Sequence, residues 1–335
     1  IGVPKNDEEA FKLFKQASDA NYPNATYSLG NCHLNGIGTE KDEKEAFRLF
    51  EIAAKSDHIE ALNKLGICYL NGIGCKQDEQ KAVTYFQDAA KKGNVKSMNY
   101  LAKCYQKGRG IASNPKEAVK LYQQASDLGN YEASNELGIC YRDGIGIDEN
   151  RMEAFRLFKK SAENGYPEGM YNLAKCYENS IGTVQDKSEA LRLYKMASNN
   201  EHQLATLEIA KNYFNESTTK KNHKEAFRLF QLLSEQGIKE ATYYLAKCYL
   251  EGCGVKQSEN QALQILESPD NKDNMYTQYQ LGLCYSLGIG VAEDYPKAFA
   301  YFQKSSNQGY TEATYKLGYC YEKGVGVSKD KAKAV

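Results

Sequence analysis

The sequence predicts an all-α solenoid built from helix pairs, and three observations carry that expectation. The stretch LGICYLNGIG at 65–74 returns as LAKCYQKGRG at 101–110, LGICYRDGIG at 137–146, LGLCYSLGIG at 281–290 and LGYCYEKGVG at 317–326, always a multiple of 36 residues away. With Cys32, Cys68, Cys104, Cys140, Cys176, Cys248, Cys284 and Cys320 as markers, every interval is 36 or 72, and Asn212 fills the gap. A fixed period of this size marks an array in which each unit packs only on its neighbours. Ala61, Leu65, Cys68 and Tyr69 stand at i, i+4, i+7 and i+8, the buried stripe of an amphipathic helix. Each such helix is followed by a Gly-x-Gly turn and then by a helix-starting Asp, Asn or Ser in most copies.

The elements of one repeat follow in order. Helix A runs from about Ala61, and inside it Gly66 has counterparts Gly30, Ala102, Gly138, Ala174, Ala210, Ala246, Gly282 and Gly318. Alanine would be strained at a positive φ, so the shared requirement is small size, which implies a close neighbouring helix. Gly72 is expected to end helix A in the left-handed conformation, and Gly74 to tighten the connection. Asp78 then caps helix B through its side-chain oxygen, as do Asn6, Asp42, Asn114, Asn150, Asp186, Asn222, Ser258, Asp294 and Asp330 in the same phase. Glu or Gln three residues later (Glu9, Glu45, Glu117, Glu153, Glu189, Glu225, Gln261) suggests a capping box. Ala82 never varies in its phase, which places the tightest contact of helix B there. Phe50, Phe86, Tyr122, Phe158, Tyr194, Phe230 and Phe302 supply the bulk between repeats. Full repeats are expected to start at 25, 61, 97, 133, 169, 205, 241 and 277, with partial ones at 1–24 and 313–335. Both ends fall within a repeat, so the 335 residues read as one array cut from a longer protein.

Composition narrows the function. Lys plus Arg equals Asp plus Glu at 43 each, so no global field draws the chain to nucleic acid or an anionic membrane. No apolar run approaches the roughly 20 residues that span a bilayer.

The repeat resembles the Sel-1-like repeat family, a relative of the tetratricopeptide repeats, through Ala61, Leu65, Gly66, Tyr69, Gly72, Gly74, Asp78, Ala82, Phe86 and Ala89. The resemblance covers essentially the whole chain. It implies a right-handed superhelix of antiparallel helix pairs, with A helices lining the concave side, that serves as an adaptor or scaffold for protein complexes. Family members are associated with endoplasmic-reticulum quality control, signalling and bacterial host interaction. Some bacterial relatives pair two cysteines in each repeat, and the second partner is missing here. Two departures stand out: Asn215 to Thr218 replace a Gly-x-Gly turn, and Pro269 should stop one helix B about a turn early.

Chemistry finds little purchase. Gly72-Ile73-Gly74 lacks the strand-loop-helix setting of a phosphate loop and recurs in most copies, so no cofactor is expected. Single cysteines on helices roughly 8 to 10 Å apart lie beyond disulfide reach, which favours reduced thiols and a cytoplasmic setting. Two glycosylation sequons, at Asn24 and Asn215, leave the endoplasmic-reticulum lumen or secretion open. His33, His58, His202 and His223 are too scattered for zinc, and no nucleophile has a base in its sequence context, so no metal and no catalysis are expected. If Leu65, Cys68 and Tyr69 face inward, a turn of about 100° per residue places Glu60, Asn63, Ile67 and Leu70 on the opposite, concave face. In those phases Lys103, Lys175, Lys211 and Lys247 form a basic stripe beside Asn99, Asn135, Tyr171 and Tyr243, predicted to bind a partner protein through an acidic peptide segment. The bland reading pairs those lysines with Glu132, Glu168 or Glu240. Two other functions remain as alternatives: a regulatory repeat region of a larger enzyme, such as a kinase or ubiquitin-ligase complex, and single-stranded RNA reading, against which neutral charge and the glycine turns argue.

Overall fold

The computed structural model describes residues 6–215, 219–269 and 271–334, and within them eighteen α-helices and no strand. The departures predicted at Glu216, Ser217 and Thr218, with the second sequon, lie outside the described residues. The chain divides into two compact units, Ile1–Leu193 and Tyr194–Val335. The first holds α1 (Asp7–Asp19), α2 (Pro23–Asn35), α3 (Glu43–Lys55), α4 (Ile59–Asn71), α5 (Glu79–Lys91), α6 (Val95–Lys107), α7 (Pro115–Asp127), α8 (Tyr131–Asp143), α9 (Arg151–Glu163) and α10 (Pro167–Asn179). After α11 (Lys187–Ser198), the second holds α12 (Gln203–Asn215), α13 (Lys220–Glu235), α14 (Lys239–Glu251), α15 (Glu259–Leu266), α16 (Met275–Leu287), α17 (Tyr295–Asn307) and α18 (Thr311–Lys323). Even-numbered helices are the A helices and odd-numbered ones the B helices. Within each unit, neighbours in sequence pack as pairs through short turns.

Small size inside helix A has a direct cause. A β-carbon on Gly30, Gly66, Gly138 or Gly282 would lie 2.6, 2.4, 2.7 or 2.5 Å from Cε1 of Phe50, Phe86, Phe158 or Phe302. Those four rings are buried against the glycines, and Ala46, Ala82, Ala118 and Ala154 let helix B approach with almost no exposure. A fully buried ring of this kind contributes roughly 3–5 kcal/mol relative to alanine.

The two glycines of the turn do different work. Gly72 takes φ 72° and gives its N–H to the Cys68 carbonyl, closing helix A. Gly74, also left-handed, lies so near the preceding repeat that a β-carbon would stand 2.0 Å from the Glu43 carbonyl oxygen. The same approach recurs at Gly38 to Asp7, Gly110 to Glu79, Gly182 to Arg151 and, in the second unit, Gly254 to His223, all at 2.1 Å. This loop is a joint between repeats. Ser180 replaces the first glycine once, and it too is left-handed, at φ 56°.

Helix starts hold their predicted caps with two corrections. Asn6, Asp42, Asp78, Asn114, Asn150, Ser258 and Asp294 accept backbone N–H groups from the first turn of the next helix. The cap of α13, however, is Thr219, and Asn222 lies within the helix. The capping box is also only half used. The cap N–H of Asp42, Asp78 and Asn114 donates to the carbonyl of His33, Tyr69 and Tyr105 at 2.8 Å. With that donor satisfied, Glu45, Glu153 and Glu225 turn to Arg48, Arg156 and Arg228, which hold their carboxyls below the usual range through the hydrogen bond. Helix α15 stops at Leu266 before Pro269, as its sequence predicts.

From helix B to the next A helix the joint is either polar or apolar. Ser126 and Ser134 share a 2.7 Å hydrogen bond, and Ser18–Thr26, Ser234–Thr242 and Ser306–Thr314 repeat it. In the same phase other repeats carry apolar residues, Ala54 with Leu62 and Ala90 with Met98.

Candidate protein-binding face

The predicted site residues lie on A helices, and the units are taken in turn. In the first, Asn99 on α6 is only 1% exposed and Asn135 on α8 fully buried, which corrects the expected open face. Asn63 and Leu70 are buried as well. The reason is packing: an A helix meets neighbouring A helices as well as B helices, so the side opposite its stripe is covered too. Asn63 donates to Ser97 Oγ at 2.8 Å, and Asn172 to Asn135 Oδ1 at 2.9 Å. Asn99 Oδ1 and Asn135 Nδ2 have no hydrogen-bond partner, a buried acceptor and a buried donor on adjacent A helices.

Lys103 stays nearer the surface. Its ammonium lies 2.5 Å from Glu132 and 3.9 Å from Glu136 on α8, with 30% of the side chain exposed. Burial is the largest single influence and opposes its charge, but the Glu132 hydrogen bond and the charges of Glu132 and Glu136 together outweigh it, and its pKa rises. Glu136, which sequence reading passed over, has its carboxyl pushed up by burial against the pull of Lys103. Lys175 reaches Glu178 at 3.0 Å and lies over the half-buried Tyr171 ring.

In the second unit Lys211 bonds Glu240 and lies 3.6 Å from Glu208. This repeats the Lys103–Glu132 register. Tyr243 is nearly buried and edge-on to Tyr244, with centroids 5.0 Å apart. Lys247 lies over Phe214, Tyr243 and Tyr244, and 3.6 Å from Glu251. Tyr276 and Tyr279 both meet Tyr310 edge-to-face, at 5.3 and 5.1 Å. Tyr310 escaped the sequence reading because it sits in the turn before α18, outside the helix-A phases.

Other candidate chemistry resolves into structure. His58 and His202 accept N–H groups at 3.2 and 3.1 Å at the starts of α4 and α12, so they act as caps. Burial pushes the thiols up, Cys68 and Cys140 to about 12 and Cys104 and Cys284 to about 11, away from thiolate reactivity. Among the described residues no group of three or more His, Cys, Asp and Glu could hold a metal ion, and no helix is long and apolar enough to cross a membrane.

This geometry has known counterparts. A protective antigen present in uropathogenic Escherichia coli strains, displaying an SLR fold, superposes with TM-score 0.62 and 25% identity, covering 100% of this chain and 79% of that one. A Sel1 repeat protein from Oxalobacter formigenes superposes with TM-score 0.64 and 26% identity, covering 68% of this chain and 94% of that one. Among curated proteins none matches the sequence. The profile described as Sel1 repeat matches residues 1–22, 23–58, 59–94, 95–130, 132–166, 167–202, 203–238, 239–268, 276–310 and 311–335, a frame beginning two residues ahead of the one read from the sequence for most copies. Ten successive matches over nearly every residue place the chain in the Sel1 repeat family.

Proposed function

We propose that this chain is a non-catalytic scaffold that holds a partner protein on its A-helix face, through the partly exposed Lys103, Tyr171 and Lys175 in the first unit and through Lys211, Tyr243 and Lys247 in the second. Asn99 and Asn135, buried beneath that face, take no part. The observation that carries this reading is the repeated Lys–Glu pair between neighbouring A helices, Lys103 with Glu132 and Lys211 with Glu240. The more exposed of the two, Lys103 with Glu132, is a pair of the kind that contributes only about 0–1 kcal/mol. An acidic partner segment therefore displaces the native glutamate at small cost and gains a placed ammonium.

Affinity capture from the source cells tests it with two opposed variants. Replacing Lys103, Lys175, Lys211 and Lys247 with Gln should abolish capture without changing helicity. Glu132→Gln with Glu240→Gln should strengthen it, because both lysines are released. Equal capture by all three proteins would contradict the proposal.

A further inference from the structure

The segments Thr39–Phe50 and Thr219–Phe230 are the same stretch of two repeats, and they differ at three positions only. Glu40 becomes Lys220, Asp42 becomes Asn222 and Glu43 becomes His223. Each change removes a carboxylate. The lysines of the first copy, Lys41, Lys44 and Lys76, are all kept as Lys221, Lys224 and Lys256. In the first unit this joint between repeats is balanced by its own acids, with Lys41 2.7 Å from Glu43 and Asp42 and Glu43 lining the concavity. In the second unit the same joint has lost its acids.

The structure shows what remains. A concavity of about 320 Å³ is lined by Lys220, His223, Lys224 and Lys256 above the backbone of Gly252 and Gly254. A β-carbon on Gly254 would lie 2.1 Å from the His223 carbonyl oxygen, so the loop carrying Lys256 is seated firmly on the first turn of α13. Lys220, Lys221, Lys224 and Lys256 are exposed, and among the described residues none forms an ion pair. Glu225, next to Lys224, is engaged by Arg228 at 2.6 Å, and Glu251, at the end of the helix before the Lys256 loop, lies 3.6 Å from Lys247. Every B helix from α1 to α11, and α15, has an acidic residue in its first turn, whereas α13 and α17 have none, and of these two only α13 opens with two lysines, Lys220 and Lys221. Ammonium groups at the positive end of a helix are disfavoured unless an anion faces them.

We propose that this joint is a second docking site, distinct from the A-helix residues above, for an Asp- or Glu-rich segment of a partner protein. Three ammonium groups and the His223 imidazole around a concavity, with Lys221 beside them in sequence, suit a strand of carboxylates, which would supply in trans what Glu40, Asp42 and Glu43 supply in cis in the first unit. A bilayer would find only half-buried Val255 as an apolar contact here. The balance of 43 basic and 43 acidic residues gives no wider field for nucleic acid.

The test uses the full chain and a fluorescent peptide of alternating Asp and Glu, with binding read by anisotropy at low and high salt. Wild type should bind with strong salt dependence. Lys220→Glu, Asn222→Asp and His223→Glu together, which write the first-unit acids into the second, should weaken binding by about tenfold or more. Lys224→Gln with Lys256→Gln, both exposed, should weaken it in the same direction and covers the case in which the graft fails to fold. The A-helix Lys→Gln variant should retain the salt-dependent binding that the graft removes, which separates this site from the one proposed above. Undiminished binding by both joint variants would overturn the proposal. So would tighter graft-sensitive binding to phosphatidylserine vesicles or single-stranded RNA than to the peptide.

Discussion

Gly66 and Phe86 are in contact so close that a single methyl on the glycine would stand 2.4 Å from the ring. Alanine is the better helix former by about 1 kcal/mol, but here it must push a buried ring in a filled core, which costs typically 1–3 kcal/mol or more. Gly66→Ala should therefore lower the urea midpoint despite its propensity. Phe86→Leu in that background should recover part of the loss, because Ala246 already shares a core with Leu266. A double-mutant cycle would report the coupling.

The two turn glycines should separate cleanly. Gly72→Ala meets nothing nearer than 3.6 Å and should cost only the left-handed conformation, about 1–2 kcal/mol. Gly74→Ala carries that same cost and must also displace the Glu43 carbonyl, so its loss should be larger. Chemical denaturation of the two variants side by side checks the order. Equal losses would remove the role assigned to Gly74.

Ser180 offers the opposite case. It occupies the left-handed cap position that glycine fills in other repeats, at φ 56°. Ser180→Gly should raise stability by about 0.5–1 kcal/mol, since relief of the Cβ strain exceeds the added freedom of the unfolded chain.

Glu136 gives a pH signature. Burial raises its folded pKa, so the folded state holds this proton more tightly than the unfolded state does. The stabilising contribution is full below the ordinary Glu value of about 4.3 and is lost as pH rises through the folded pKa. Glu136→Gln should thus raise the melting temperature at pH 7, and the gain should shrink as pH falls into the carboxylate range. A gain that grows on acidification would reverse the assignment.

Much of this fold was legible because the copies acted as an internal alignment. Gly and Ala alternating in the Gly66 phase revealed size as the requirement, and Pro269 announced the short α15. The site was less legible for two physical reasons. A helical wheel assigns one buried stripe to a helix, whereas Asn99 and Asn135 are covered because each A helix packs on other A helices too. Charge lists also do not show pairing, so the bland reading of a paired face was right for Lys103 with Glu132 and for Lys211 with Glu240. The hydroxyl joint of Ser126 and Ser134 was readable in principle, as Ser or Thr recurring eight residues apart. Thr219 took the cap from Asn222 by starting α13 three residues earlier than the common phase.

The central claim is that each glycine pair is a mechanical joint between neighbouring repeats, so damage at one joint should stay local. Native-state hydrogen exchange on Gly74→Ala measures this most directly. Protection should fall in α3, α4 and α5 while α16 and α17 keep theirs. An equal fall in every helix would contradict the account.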